Sequence, residues 1–335
     1  MNAPPLTDPF TIAGLEVPNR VVLAPLAGIG NWFVRLQAKR YGAGLTGSEM
    51  ISSFAIHHRN EKTMRDLLMI HDSEREYPGP IAFQLFGQDP EVMRSAAATA
   101  AEQGADIIDL NMGCPVPKVM KNGAGAALIS DPAVAVEIAR AAAEGSGLPV
   151  TVKLRSGQKK GEADGFQLAL RLVDEAGVAA IAFHPRSAQV HHKGSPDYEL
   201  AAKLVDQLPV PVILSGGMSD NDATLAAREQ TGAAAVMLAR GGLGNPWLFE
   251  RLLGLRDEAP TRTEILAELE WIIDRAVEHL GDERAARYLR TFYPWYLDQL
   301  ELDKATLVAF QQSESIDKVR EMLAELGPLT AAAGH

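Results

Sequence analysis

The chain has 335 residues, 47% of them hydrophobic and 22% charged, with 43 acidic against 32 basic side chains and a single cysteine. That length suits one large α/β domain with an appendage, or two domains, and the lone cysteine excludes an intrachain disulfide framework and a multi-cysteine metal site. A net charge of −11 argues against a uniformly basic nucleic-acid-binding body, although a local basic groove on an acidic protein still suffices to hold RNA.

Residues 1–5 lack the basic and apolar blocks of an export signal, and no stretch approaches the apolar length of a membrane span. A cytoplasmic protein without membrane attachment is the expectation. From there, short β-branched or apolar runs recur at 20–24, 44–48, 81–86, 106–110, 150–154, 179–183, 212–214 and 235–238. Alanine-rich helical stretches at 91–103, 133–144, 165–176 and 220–230 fall between them. Near-continuous apolar strands alternating with helices predict a parallel sheet covered on both faces. Eight such units in about 240 residues fit a closed (β/α)8 TIM barrel. The alternative, a doubly wound open sheet, calls for a G-x-G-x-x-G turn after its first strand. Here that place holds Pro25-Leu26-Ala27-Gly28.

The repeat fades after Leu255, and Asp257-Glu258-Ala259-Pro260 reads as a linker. The remaining text is helical, at 264–280, 283–300, 304–312 and 315–326, with a frayed end at 331–335. Ile265, Leu269, Ile272, Ile273, Ala276 and Leu280 form one apolar helix face. The predicted organisation is a catalytic barrel over 1–256 and an all-helical bundle over 257–335.

In such a barrel the active site gathers at the C-terminal ends of the strands. Those ends are Pro25 to Gly28, Ser48-Glu49, Gln84, Asn111 with Cys114, Lys153 with Arg155, His184 with Arg186, Ser215-Gly216-Gly217, and Arg240-Gly241-Gly242. Cys114 sits in Asn111-Met112-Gly113-Cys114-Pro115, among residues that make poor core but good turns, so a functional thiol is favoured over an inert filler. The glycine pairs after the last two strands offer bare amides at helix starts, where barrels often hold phosphate, and Arg240 adds a forked cation. Lys153 lies within a buried strand and calls for an anionic partner. His184 could donate or accept toward a ligand or be purely structural. His191 and His192, read as extended and therefore divergent, with no suitably spaced carboxylate, predict no metal site. Lys118 and Lys121 follow Cys114 as either solvated loop charges or contacts for a polyanion. Arg284, Arg287 and Arg290 share a predicted helix face near Tyr288, Tyr293, Trp295 and Tyr296. The arginines could meet RNA, and the aromatics read as packed core.

At these residues the chain resembles the tRNA-dihydrouridine synthases, from about residue 19 to residue 326. The most specific block is Asn111-Met112-Gly113-Cys114-Pro115 followed by Lys118, Lys121, Gly123, Gly125 and Leu128. Leu23-Ala24-Pro25-Leu26-Ala27-Gly28 and Arg240-Gly241-Gly242-Leu243-Gly244-Asn245-Pro246-Trp247 resemble the family's first loop and its segment after the eighth strand. Departures occur at Ile29-Gly30-Asn31, at His184-Pro185-Arg186-Ser187 and at Ser215-Gly216-Gly217.

The resemblance implies FMN-dependent reduction of the C5=C6 bond of uridines in tRNA, with NADPH as reductant. It implies that Cys114 is the catalytic acid, so its site should not favour the thiolate. It assigns the flavin to Pro25, Leu26, Ala27, Gln84, Asn111, Lys153 and His184, and its phosphate to Ser215, Gly216, Gly217, Ala239 and Arg240. Lys153 would then neutralise charge on the reduced flavin. Asn111, Lys118, Lys121, Arg155, Arg186 and Arg287 become the expected substrate contacts, the helical bundle becomes a tRNA-binding domain, and a monomer is expected. The alternatives are an FMN barrel oxidoreductase acting on a small pyrimidine or enone, and a non-catalytic phosphate- or RNA-binding barrel.

Overall fold

In the computed structural model of the chain, residues 4–327 are described. The first three residues and the end expected to fray, at 331–335, lie outside them. The chain begins with an antiparallel hairpin, β1 (Phe10–Ile12) and β2 (Leu15–Val17), whose two turn residues, Ala13 and Gly14, have φ of 48° and 82°. Eight parallel strands follow: β3 (Val21–Leu23), β4 (Leu45–Ser52), β5 (Ile81–Phe86), β6 (Ile107–Met112), β7 (Val150–Arg155), β8 (Ala180–His184), β9 (Val212–Ser215) and β10 (Ala235–Leu238). They close in sequence order, β10 pairing with β3 through Val236 and Val21. The fold is thus a (β/α)8 barrel, and the eight apolar runs are its strands, with ends displaced by at most two residues except in β4, which continues to Ser52.

The hairpin was not legible as strand, because three-residue segments are too short to show a period. It closes the N-terminal end of the barrel. Phe10, Ile12 and Val17 pack in one cluster with the first inward residues of the strands, including Leu45, Ala82, Ile107, Ala180, Ile213 and Ala235. The outer helices start where the sequence supplies a cap. Asp89 and Asp131 accept from the amides of Val92 and Val134 and are each followed by proline, which fits the first helical turn.

The chain forms two compact units, Met1–Gly241 and Gly242–His335. In the second, Thr261 and Glu264 make a reciprocal capping box at the start of the helix Arg262–Leu280. The single helix expected at 283–300 is instead broken into Asp282–Leu289 and Tyr293–Leu297. Pro294 is the reason: its ring and missing N–H are tolerated only in a first turn, so the chain restarts there. Tyr293 and Tyr296 are fully buried, and the Tyr293 and Phe310 rings pack 5.7 Å apart, so these aromatics are core. Among the described residues no helix is long and apolar enough to cross a membrane.

Candidate active site

Strand period explains how polar groups enter an apolar barrel. Along β6, Ile107, Asp109 and Asn111 alternate with Ile108 and Leu110, so every second residue points to the barrel axis. The lowest inward layer is apolar and the upper layers are polar. Register then brings the polar groups side by side: Gln84 lies opposite Asp109, Asp109 opposite Thr151, and Asn111 opposite Lys153.

Their hydrogen bonds run as a chain. Gln84 Nε2 donates to Asp109 Oδ2 at 2.6 Å, and Asn111 Nδ2 donates to Gln84 Oε1 at 2.8 Å. Asn111 Oδ1 in turn accepts from the amides of Gly113 and Cys114 at 3.2 and 2.9 Å. The chain of contacts ends at the half-buried thiol-bearing residue. Gly125 backs this turn: its φ is 63°, and a Cβ there would lie 2.7 Å from the Cys114 carbonyl oxygen. The Ala126 amide caps the same carbonyl at 3.0 Å. Lys118 and Lys121 stand exposed on the following segment.

A β-bulge in β4 supplies two more groups. Ser48 and Glu49 form an extra step between the pairs Gly47–Ala82 and Met50–Gln84. The bulge aims Ser48 Oγ at the Gln84 amide (2.9 Å) and the Glu49 carboxylate at the Gly28 amide (2.8 Å), fixing the first loop that carries Pro25, Leu26 and Ala27. Burial raises the Glu49 carboxyl above its ordinary value, against the pull of that Gly28 bond.

The other half of the rim is cationic. Lys153 Nζ reaches across the barrel to within 3.5 Å of Ser215 Oγ. Burial pushes Lys153 down to about 8, helped by Arg155 and opposed by Asp109. Burial likewise lowers Arg155 to about 10 and raises Asp109 to about 6, the latter against its bonds from Thr151 and Gln84 and the charge of Lys153. Burial and the neighbouring Lys153, Arg155 and Arg186 hold His184 far below its usual range, so it is a neutral imidazole. His191 is not extended as expected; its φ is 53°, and His192 comes to lie over His184 with ring centroids 6.1 Å apart. Burial, then Arg240, Arg155 and Arg186, lower His192 to about 4. Among the described residues no group of three or more His, Cys, Asp or Glu is arranged to hold a metal.

The glycines after β9 are packed closely against their neighbours. Gly216 and Gly217 have φ of 95° and 88°, and a side chain on the first would strike the His184 ring, on the second the Tyr198 hydroxyl. Tyr198 Oη donates to the Gly216 carbonyl at 3.1 Å. Ala239 is half-buried, and Arg240, which is exposed, makes no hydrogen bond or salt bridge among the described residues.

The expected substrate arginines fare differently. Arg155 is only 5% exposed and donates to the carbonyls of Gly113, Ser187 and His191, which ties the cysteine turn to the loop after β8. Arg186 donates twice to the Gly194 carbonyl and approaches His184. A cleft of about 510 Å³ beside them is lined by Ser156, Lys160, Arg186, Ser187 and Lys193. In the helical unit Arg287 pairs with Glu283 at 2.9 Å, and the helix ends at Leu289, so Arg290 is a cap residue that binds Ser313 and Glu314.

Asp109, Thr151, Tyr198 and the clamp role of Arg155 escaped the sequence reading, which took residues near the C-terminal end of each strand and in the turn after it. Period-two alternation back from Asn111 would have found Asp109.

A parallel eight-stranded barrel with polar and cationic side chains converging at its strand ends defines a (β/α)8 enzyme. Residues 22–329 match the family model described as dihydrouridine synthase. The chain is 33% identical over 328 residues to tRNA-dihydrouridine synthase B of Pseudomonas aeruginosa, covering 94% of this chain and 96% of that protein. It is also 33% identical over 321 residues to a probable tRNA-dihydrouridine synthase 1 of Synechocystis, covering 94% and 88%. Morphinone reductase superposes with a TM-score of 0.57 at 18% identity, covering 79% of this chain and 93% of that one, a likeness of fold. The chain belongs to the dihydrouridine synthase family.

Proposed function

We propose that this protein reduces the C5=C6 bond of uridines in tRNA to dihydrouridine, as a cytoplasmic monomer holding FMN and drawing electrons from NADPH. The observation that carries this reading is the placement of the only cysteine. It is pinned at the end of β6 by Asn111, on the same rim as Lys153, which reaches across to Ser215, in a chain of this family.

The residues present fit a flavin mononucleotide. The β7 to β10 side of the rim carries Lys153, Arg155, Arg186 and Arg240, a cationic lining that suits an anionic group. The segment Ser215-Gly216-Gly217 after β9, with Ala239 and the exposed Arg240, would hold its phosphate through backbone amides and a guanidinium. Pro25, Leu26, Ala27, Gln84, Asn111, Lys153 and His184 would line its ring, with Lys153 placed to offset negative charge there. When bound, the flavin would supply a hydride for C6 of the uracil, replenished by NADPH.

The protein's own part is the proton. As negative charge grows at C5 and O4, Cys114 Sγ gives its proton to C5, so one hydride and one proton together saturate the double bond. Asn111 holds the turn that presents Sγ, and Arg155 holds the same turn through the Gly113 carbonyl. The base must leave its stack to reach this rim, which suits exposed tRNA loops. Lys118, Lys121 and Arg186 are the proposed backbone contacts, Asn111 also meets the base, and Arg155 contributes by ordering the loops. The helical unit, through Arg287 and its neighbours, is the proposed tRNA-binding part. A small pyrimidine or enone as substrate is less supported, since the likeness to morphinone reductase at 18% identity carries the fold alone.

The test is mass analysis of tRNA from cells lacking this gene and any redundant enzyme. Dihydrouridine should vanish from at least one position and return with the wild-type gene. Unchanged dihydrouridine throughout, or a purified protein that takes up no flavin, would overturn the reading.

A further inference from the structure

We propose that Asp109 is a positioning residue for Cys114, acting as the terminal acceptor of the hydrogen-bond chain that runs through Gln84 and Asn111. The proposal rests on the function argued above and names a residue outside the expected flavin, substrate and acid set.

An amide side chain offers a donor at one end and an acceptor at the other, and either orientation fits a symmetric pocket. Here the orientation is forced from both ends. A carboxylate only accepts, so Gln84 must turn Nε2 to Asp109 and Oε1 to Asn111. The Gly113 and Cys114 amides only donate, so Asn111 must turn Oδ1 to them and Nδ2 to Gln84. The two demands agree, and both amides are ordered without conflict. The second Asp109 oxygen accepts from Thr151 Oγ1 at 2.7 Å, which fixes the carboxylate plane. Asp109, Gln84 and Asn111 are 5%, 1% and 9% exposed, so water is poorly placed to replace a lost member. Removing the acceptor at Asp109 leaves a buried Gln84 N–H without a partner and frees the amide that holds Asn111. The disturbance reaches Cys114 through its backbone, with no contact between the two side chains.

A competing role for Asp109 is purely electrostatic, as the counter-charge of Lys153, whose charge acts on it. Two substitutions separate the roles. Asp109→Leu removes charge and acceptor together. Asp109→Asn removes the charge but still presents Oδ1 to Gln84, with its NH2 donating to Thr151 Oγ1, so the chain survives.

Because Cys114 is the only cysteine, its reaction with an aromatic disulfide reports on that turn alone. In flavin-loaded protein, Asp109→Leu should speed thiol modification several-fold and lower kcat for dihydrouridine formation by at least about tenfold with KM for tRNA little changed, since small misplacements of a reacting group act on kcat. Asp109→Asn should stay within about twofold of wild type on both measures because its hydrogen bonds persist. The proposal is overturned if Asn is as damaging as Leu, which assigns the effect to charge, or if neither variant changes thiol reactivity or kcat. Should Asp109→Leu fail to fold, Gln84→Met cuts the chain at its middle: faster thiol modification supports the proposal, and unchanged modification overturns it. A wild-type protein that forms no dihydrouridine overturns the proposed function, while thiol reactivity still decides the role of Asp109.

Discussion

The barrel rim and the helical unit both carry arginines, and they handle them in opposite ways. On the rim Arg155 is buried, donates to three carbonyls and pairs with no carboxylate among the described residues; nearby Lys153, half-buried, is pushed below its ordinary value by burial. In the helical unit Arg275, Arg287 and Arg320 lie at the surface, each paired with an acid: Glu278, Glu283 and Asp274. Surface pairs of that kind contribute about 0–1 kcal/mol and are screened by salt. Residues from Pro260 onward count 14 acidic against 8 basic side chains. The difference teaches that one residue type serves two ends: on the rim it is tied to backbone carbonyls and orders loops, and in the helical unit it is paired with acids at the surface. Arginine count alone does not separate the two.

The sharpest way to break this contrast is at the rim. Cys114→Ala should retain flavin yet lower dihydrouridine formation by about 100-fold or more, the usual span of a lost general acid. Full turnover in that variant would remove the thiol from the chemistry and leave the rim as a binding surface only.

Lys153→Met comes next, and its two effects should have opposite signs. The native pKa of Lys153 lies near 8, below the ordinary 10.5. The unfolded chain therefore holds more proton between those values, and stability from this group rises with pH across about 8 to 10.5 and is lost below 8. Flavin-free Lys153→Met should then melt higher than wild type at pH 7 and show a flatter pH dependence of Tm in that window. The same variant should bind flavin more weakly. A lower flavin-free Tm at pH 7 would mean that Lys153 is stabilised by the protein alone.

Arg240→Ala should weaken FMN retention by about tenfold, as expected for one charge-assisted phosphate contact, without changing the flavin-free Tm. Equal affinity on titration would move the phosphate away from the β9 and β10 loops. The smallest effect is expected in the helical unit. Arg287→Ala should weaken tRNA binding by no more than about threefold, because its pair with Glu283 is exposed and salt-screened. Unchanged tRNA affinity would remove Arg287 from the proposed tRNA-binding part.

The strand count, the parallel barrel, the cysteine turn and the glycine pairs were all legible in the residues, because a buried strand, a helix cap and a turn each leave a local signature. Tertiary structure alone decided the rest. The β1–β2 hairpin is too short to announce itself, yet it closes the barrel floor with Phe10, Ile12 and Val17. Pro294 splits the segment 283–300, which reads as one helix in the sequence. Above all, Gln84, Asp109 and Asn111 come from two strands, and only cross-strand register puts their amides and carboxylate in one line. Local pattern specifies which element forms and which face is inward. Which inward groups meet depends on pairing between segments distant in the chain, and it is there that Cys114 acquires its place.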